Sequence, residues 1–117
     1  MANTYTPRRA AKRWLAGAPE YILDVFDHPP YAADRYTVFL SGPYLYPQDG
    51  RTYANGRVSY LGMSSNPAHP QGVSQWGEMS AHEQSVYRRA NARFRVAWSS
   101  LPEHIRAHVI ARANPES

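Results

Sequence analysis

The chain contains no cysteine. That absence excludes disulfides, thiolate nucleophiles and every cysteine-ligated zinc or iron–sulfur site together. Lysine is nearly missing as well, with one Lys against twelve Arg. No apolar run approaches the roughly 20 residues a membrane-spanning helix needs, and no apolar stretch near the N-terminus reads as a secretory h-region. Neither G-x-G-x-x-G nor G-x-x-x-x-G-K occurs, and no G-x-S-x-G marks a serine nucleophile. Internal repeats and low-complexity runs are also lacking. At 117 residues, a single domain is expected, able to bury roughly two-thirds of its unfolded surface.

What charge there is sits unevenly. Residues 1–19 carry Arg8, Arg9, Lys12 and Arg13 and no acid, while the nine Arg of residues 20–117 balance nine Asp and Glu. The body is neutral, and the formal excess of +4 belongs to one N-terminal arm. Arg, unlike Lys, grips phosphate or carboxylate with a planar fork and stacks on aromatic rings. Nine Tyr, three Trp and three Phe accompany it. That combination suits base stacking and protein interfaces alike, and tyrosines also serve as core filler in small domains.

Residues 6–17 predict a short helix, capped at Thr6, with Pro7 at its first position and Gly17 at its end. Three strands follow: Tyr21 to Phe26, Arg35 to Ser41 and Arg57 to Gly62, the second with Tyr36, Val38 and Leu40 on one face. Asn55-Gly56 is a tight-turn signal before the third. Residues 63–79 keep no periodicity and read as one long loop containing Asn66-Pro67, His69-Pro70, Gly72 and Trp76. Ser80-Ala81-His82-Glu83 is a capping box that starts a helix, with Val86, Tyr87 and Ala90 as its inner face. Arg93 to Trp98 continues the helical period through Phe94 and Trp98, yet it also alternates as a strand with both arginines outward; of the two, a fourth strand is expected. Leu101-Pro102-Glu103 opens a last helix to about Arg112, with Ile105, Val109 and Ile110 inward. The expected fold is α+β: a small, mostly antiparallel sheet of about four strands with two or three helices on one face. Residues 1–19 form a basic arm or short helix, and residues 20–117 one domain.

Candidate sites come from three places. The 63–79 loop can order itself through proline and glycine and present a recognition surface, so Trp76, His69 and Asn66, with Trp14 on the arm, are the candidate partner-binding residues. Arg88, Arg89, Arg93 and Arg95 form a ridge in eight residues; with Arg8, Arg9, Lys12 and Arg13 they are the candidate phosphate contacts. His104 and His108 share a helix face, but no third ligand is near in sequence, so no metal or cofactor site is expected. Asp24, Asp27 and His28 lack ligand spacing, and Glu83 is explained by capping, with His82 beside it. No catalytic residue is assigned.

Arg35-Tyr36-Thr37-Val38, the block Tyr60-Leu61-Gly62-Met63-Ser64 with Asn66-Pro67, His69-Pro70, Gly72 and Ser74-Gln75-Trp76-Gly77-Glu78, and Leu101-Pro102-Glu103 together resemble a family of small bacterial and phage-borne proteins of unassigned function. The resemblance spans roughly residues 20–112. It implies a strand over 93–98 and a bacterial or phage-infected cytoplasm, and it implies no activity. A fainter similarity of Tyr36-Thr37-Val38 and Tyr60-Leu61-Gly62 to the GIY-YIG nuclease signature is set aside. The first Arg after Arg57 is Arg88, too far on to supply the catalytic helix.

The expected function is a non-enzymatic interaction protein that binds a larger protein or nucleoprotein partner, with an anti-defence role by analogy alone. A nucleic-acid-binding module using the arm and the Arg and aromatic surface is the alternative. A small enzyme built on His69, His82 or the His104 and His108 pair is the third.

Overall fold

The computed structural model describes residues 13–41 and 57–113. Four strands run as an antiparallel meander: β1 (Ile22–Asp27), β2 (Tyr36–Leu40), β3 (Arg57–Met63) and β4 (Ser74–Ser80), adjacent in the sheet in chain order. Helix α1 (Ala81–Ala90) leaves β4 directly, and α2 (Glu103–Ala113) ends the described chain. Two single-turn 3-10 helices, Ala92–Phe94 and Trp98–Ser100, connect them. The protein is thus a small α+β fold which, among the described residues, has a four-stranded antiparallel sheet and two α-helices.

Every residue of β2 is buried, so both faces of this central strand are covered. Side chains alternate across a strand, and the register sorts them. Tyr36, Val38 and Leu40 share one face with Val25, Leu61 and Met63, and this face packs on Ile105, Val109 and Ala113 of α2. Leu15, Trp98 and Leu101 complete that core. Thr37 and Phe39 point the other way, with Phe26 and Tyr60. There the Tyr87 ring of α1 sits edge-on to Phe26 and Phe39, at centroid distances of 5.1 and 5.3 Å. The expectation of helices on one face is therefore corrected: one helix covers each face, because β2 is apolar on both.

Two loop and strand assignments change. The segment 93–98 is not a strand; Ala92–Phe94 winds into a 3-10 turn, and only Arg95 bridges to Phe26. The fourth strand is β4, inside the stretch expected to be loop, which shrinks to residues 64–73. β4 has seven rungs on β3, from Ser74 opposite Met63 to Ser80 opposite Arg57. Backbone pairing holds it, since Trp76 and Met79 are its only large apolar side chains and Gly77 has none. The isolated glycine is the signal of close approach: a Cβ at Gly77 would overlap the Tyr60 ring.

The helix ends follow their caps. Ser80 Oγ accepts from Glu83 N at 3.1 Å while Glu83 Oε1 accepts from Ser80 N at 2.8 Å, the expected capping box. Asn91 closes α1 by donating its backbone N–H and its Nδ2 to the Tyr87 carbonyl. The inner face of α1 is narrower than expected, for Val86 is 43% exposed and Ala90 lies in solvent, leaving Tyr87. In α2 the buried positions are Ile105, Val109 and Ala113, spaced by four; Ile110, one step round the helix, is 41% exposed. Of the expected 6–17 helix, residues 6–12 lie outside the described residues. Residues 13–17 form a turn that ends at Gly17, whose φ of 81° suits a residue without Cβ. Leu15 enters the core and Trp14 packs against it.

Candidate functional site

The 64–73 loop is a closed structure. Ser64 N donates to Val73 O, Val73 N to Ser64 Oγ, His69 N to Asn66 O and Gly72 N to His69 O, while His69 Nδ1 accepts from Gln71 N. Pro67 is buried beneath it, and a Cβ at Gly72 would strike the Asn66 carbonyl. Helix α2 docks on the base of this hairpin. His104 Nε2 donates to Ser65 O at 3.0 Å, and Arg112 Nη1 donates to Ser74 Oγ at 2.6 Å. The same Ser74 hydroxyl is hydrogen-bonded to His108 Nε2 at 2.7 Å. Burial lowers the His108 pKa, and the Arg112 and His104 charges lower it further.

The expected partner-binding residues are thereby separated. Asn66 and His69 are exposed on the loop, where Asn66 lines two open hollows of about 730 and 380 Å³. Trp76 is on β4 instead, half-buried against the core with the Arg112 guanidinium 5.4 Å from its ring centre. Trp14 is half-buried on the far side of the same core, under Arg95 at 5.3 Å.

The arginines divide as well. Asp24 is 2% exposed on β1 and is met by Arg88 Nε at 3.0 Å and Arg95 Nη2 at 2.8 Å. Burial pushes the Asp24 carboxyl up, against the pull of the two guanidinia. Arg95 therefore turns inward, contrary to the outward ridge expected of it, because a buried carboxylate needs a cation. Arg89 donates to Ser85 Oγ, and Arg93 lies over the Phe94 ring at 4.6 Å. Arg13 is exposed; Arg8, Arg9 and Lys12 lie outside the described residues. His82 is exposed in the first turn of α1. Among the described residues, no group of three His, Asp or Glu could hold a metal.

A polar pocket that the sequence reading missed lies between α1 and the sheet. It measures about 300 Å³ and is lined by His28, Ala32, Asp34, Thr37, Tyr60, Met79 and Tyr87. Thr37 hydrogen-bonds the Tyr87 hydroxyl, which in turn lies 2.5 Å from His28 Nε2. Burial raises the Tyr87 pKa and lowers that of His28. Asp34, in the 28–35 turn, lays its carboxylate over Gly62, where a Cβ would approach within 2.8 Å. The readable signals were glycines inside strands, at 62 and 77, each marking a close approach.

The sheet edges differ. The free side of β1 is closed, since Val96 N donates to Val25 O and Arg95 bridges Phe26, and a bulge interrupts the strand between Ile22 and Asp24. On β4, by contrast, Gln75, Trp76, Gly77 and Met79 have backbone partners on β3 only, among the described residues. No family model, no curated protein and no solved structure matches this chain.

Proposed function

We propose that the protein is a non-enzymatic interaction domain that binds a protein partner by accepting an extended segment along β4. The observation that carries this reading is the asymmetry of the sheet: β1 is closed by Arg95 and Val96, whereas Gln75, Trp76, Gly77 and Met79 of β4 have backbone partners on β3 only, among the described residues. An open edge is a template for strand addition unless Pro, Lys or a bulge blunts it. β4, Ser-Gln-Trp-Gly-Glu-Met-Ser, has neither Pro nor Lys and keeps an unbroken register. Main-chain bonds supply affinity in such complexes and alternate side chains supply choice of partner. Trp76, held by Arg112, is the aromatic anchor on one face of the edge, and Gln75 is exposed on the other.

The nucleic-acid alternative draws less support, because Arg88 and Arg95 are engaged by Asp24. Selection of binders from a random peptide display library, followed by amide-exchange footprinting, tests the proposal. Selected peptides are expected to protect alternate amides of residues 74–80. A footprint on the 64–73 loop or on the α1 face, or no peptide binder at all, would overturn it.

A further inference from the structure

The pocket between α1 and the sheet is not used by the edge, and its chemistry is of a different kind. We propose that it binds a cationic nitrogen group, an alkylammonium or guanidinium head. Three observations carry this.

The first is charge. Asp34 makes no ion pair among the described residues, whereas Asp27 holds Arg35 at 2.9 Å and Asp24 holds Arg88 and Arg95. His28 adds no positive charge to offset Asp34. Burial holds the His28 imidazole below its ordinary pKa, and its Nε2 is hydrogen-bonded to the Tyr87 hydroxyl, which Thr37 also bonds. Among the described residues, the pocket therefore carries one uncompensated negative charge.

The second is the walls. Tyr60 and Tyr87 line the space, and both rings are fixed from behind, Tyr60 against Phe39 at 5.7 Å and Tyr87 against Phe26 and Phe39. A cation near such rings is attracted by their quadrupole, and more strongly where water is displaced. Ala32 and Met79 supply the apolar remainder. The third is the floor. Gly62 lets the Asp34 carboxylate lie against the sheet at the mouth of the pocket while it stays open to solvent. At about 300 Å³ the space suits one small head group and no more.

The probes are agmatine, as a free cation, and N-acetyl-arginine methylamide, as a mimic of a protein side chain; their relative affinities identify the source. Methylurea and acetate are the neutral and anionic controls. Titrations are followed by the amide resonances of Asp34, Thr37, Tyr60 and Gly62 in the full chain. Saturable shifts are expected with both cations, with dissociation constants on the order of 1 mM, and none with the controls. Asp34→Asn is expected to weaken binding by about threefold or more, as loss of an ion pair at a solvent-exposed carboxylate implies. Gly62→Ala should do the same while the fold stays intact, because the carboxylate at the end of a short side chain swings away to make room. The absence of saturable shifts in the wild-type chain would overturn the proposal. So would cation binding unchanged in Asp34→Asn, or acetate bound in preference.

Discussion

Asp24 and Asp34 are two carboxylates on the same side of the sheet with opposite fates, and the difference lies in their neighbours. Asp24 is buried and takes two guanidinia; Asp34 sits at the mouth of a pocket and takes none among the described residues. Removing Asp24 leaves two arginines gathered around nothing. Asp24→Ala is expected to cost about 3 kcal/mol, toward the low end for a broken buried pair because both guanidinia reach water, as read from urea denaturation. Arg88→Ala should cost about 1 kcal/mol or less, its side chain being 46% exposed. His28 and His108 set the pH response. Both are held neutral by burial and lie below the ordinary value of 6.5. A group with a depressed folded pKa contributes stability that is present above its unfolded value and lost as pH falls through it. The urea midpoint is therefore expected to drop between about pH 7.5 and about pH 5.5. His108→Gln should flatten that slope, and an unchanged slope would detach the effect from this residue.

At the scale of elements, what was legible depended on which force made each element. β1, β2, β3, the capping box at Ser80 and the helix after Pro102 all carry their signal locally, in alternation or in caps. β4 does not. Trp76 is its one core-facing aromatic, and the strand exists because β3 offers it seven backbone rungs. Residues 93–98 err the other way: their alternation predicts a strand, but Asp24, a partner some seventy residues away in sequence, draws Arg95 inward. The pocket was hidden for the same reason, since Asp34, Tyr60 and Tyr87 converge only through the register. Within the 64–73 loop, Gly72 is required by packing rather than by φ. Gly72→Ala drives a Cβ into the Asn66 carbonyl, which backbone bonds hold in place. A loss of about 1–3 kcal/mol is expected, checked by thermal melting, with α2 loosened from the loop through His104 and Ser65.

For the whole molecule, the decisive feature is that, among the described residues, both faces of the sheet are closed and only one edge is. α2 seals one face, α1 and its Tyr87 seal the other, and the 95–96 segment seals β1. The surplus of basic residues, meanwhile, is confined to the arm, so the neutral body can meet a protein without steep dependence on salt. Residue-resolved amide exchange on the free protein tests the open edge most directly. Among Gln75, Trp76, Gly77 and Met79, amides bonded to β3 should exchange slowly and amides turned away from it should exchange near unprotected rates, while Val96 is protected by its bond to Val25. Uniform protection across β4, equal to that of β2, would mean that the edge is already covered, and would contradict the account.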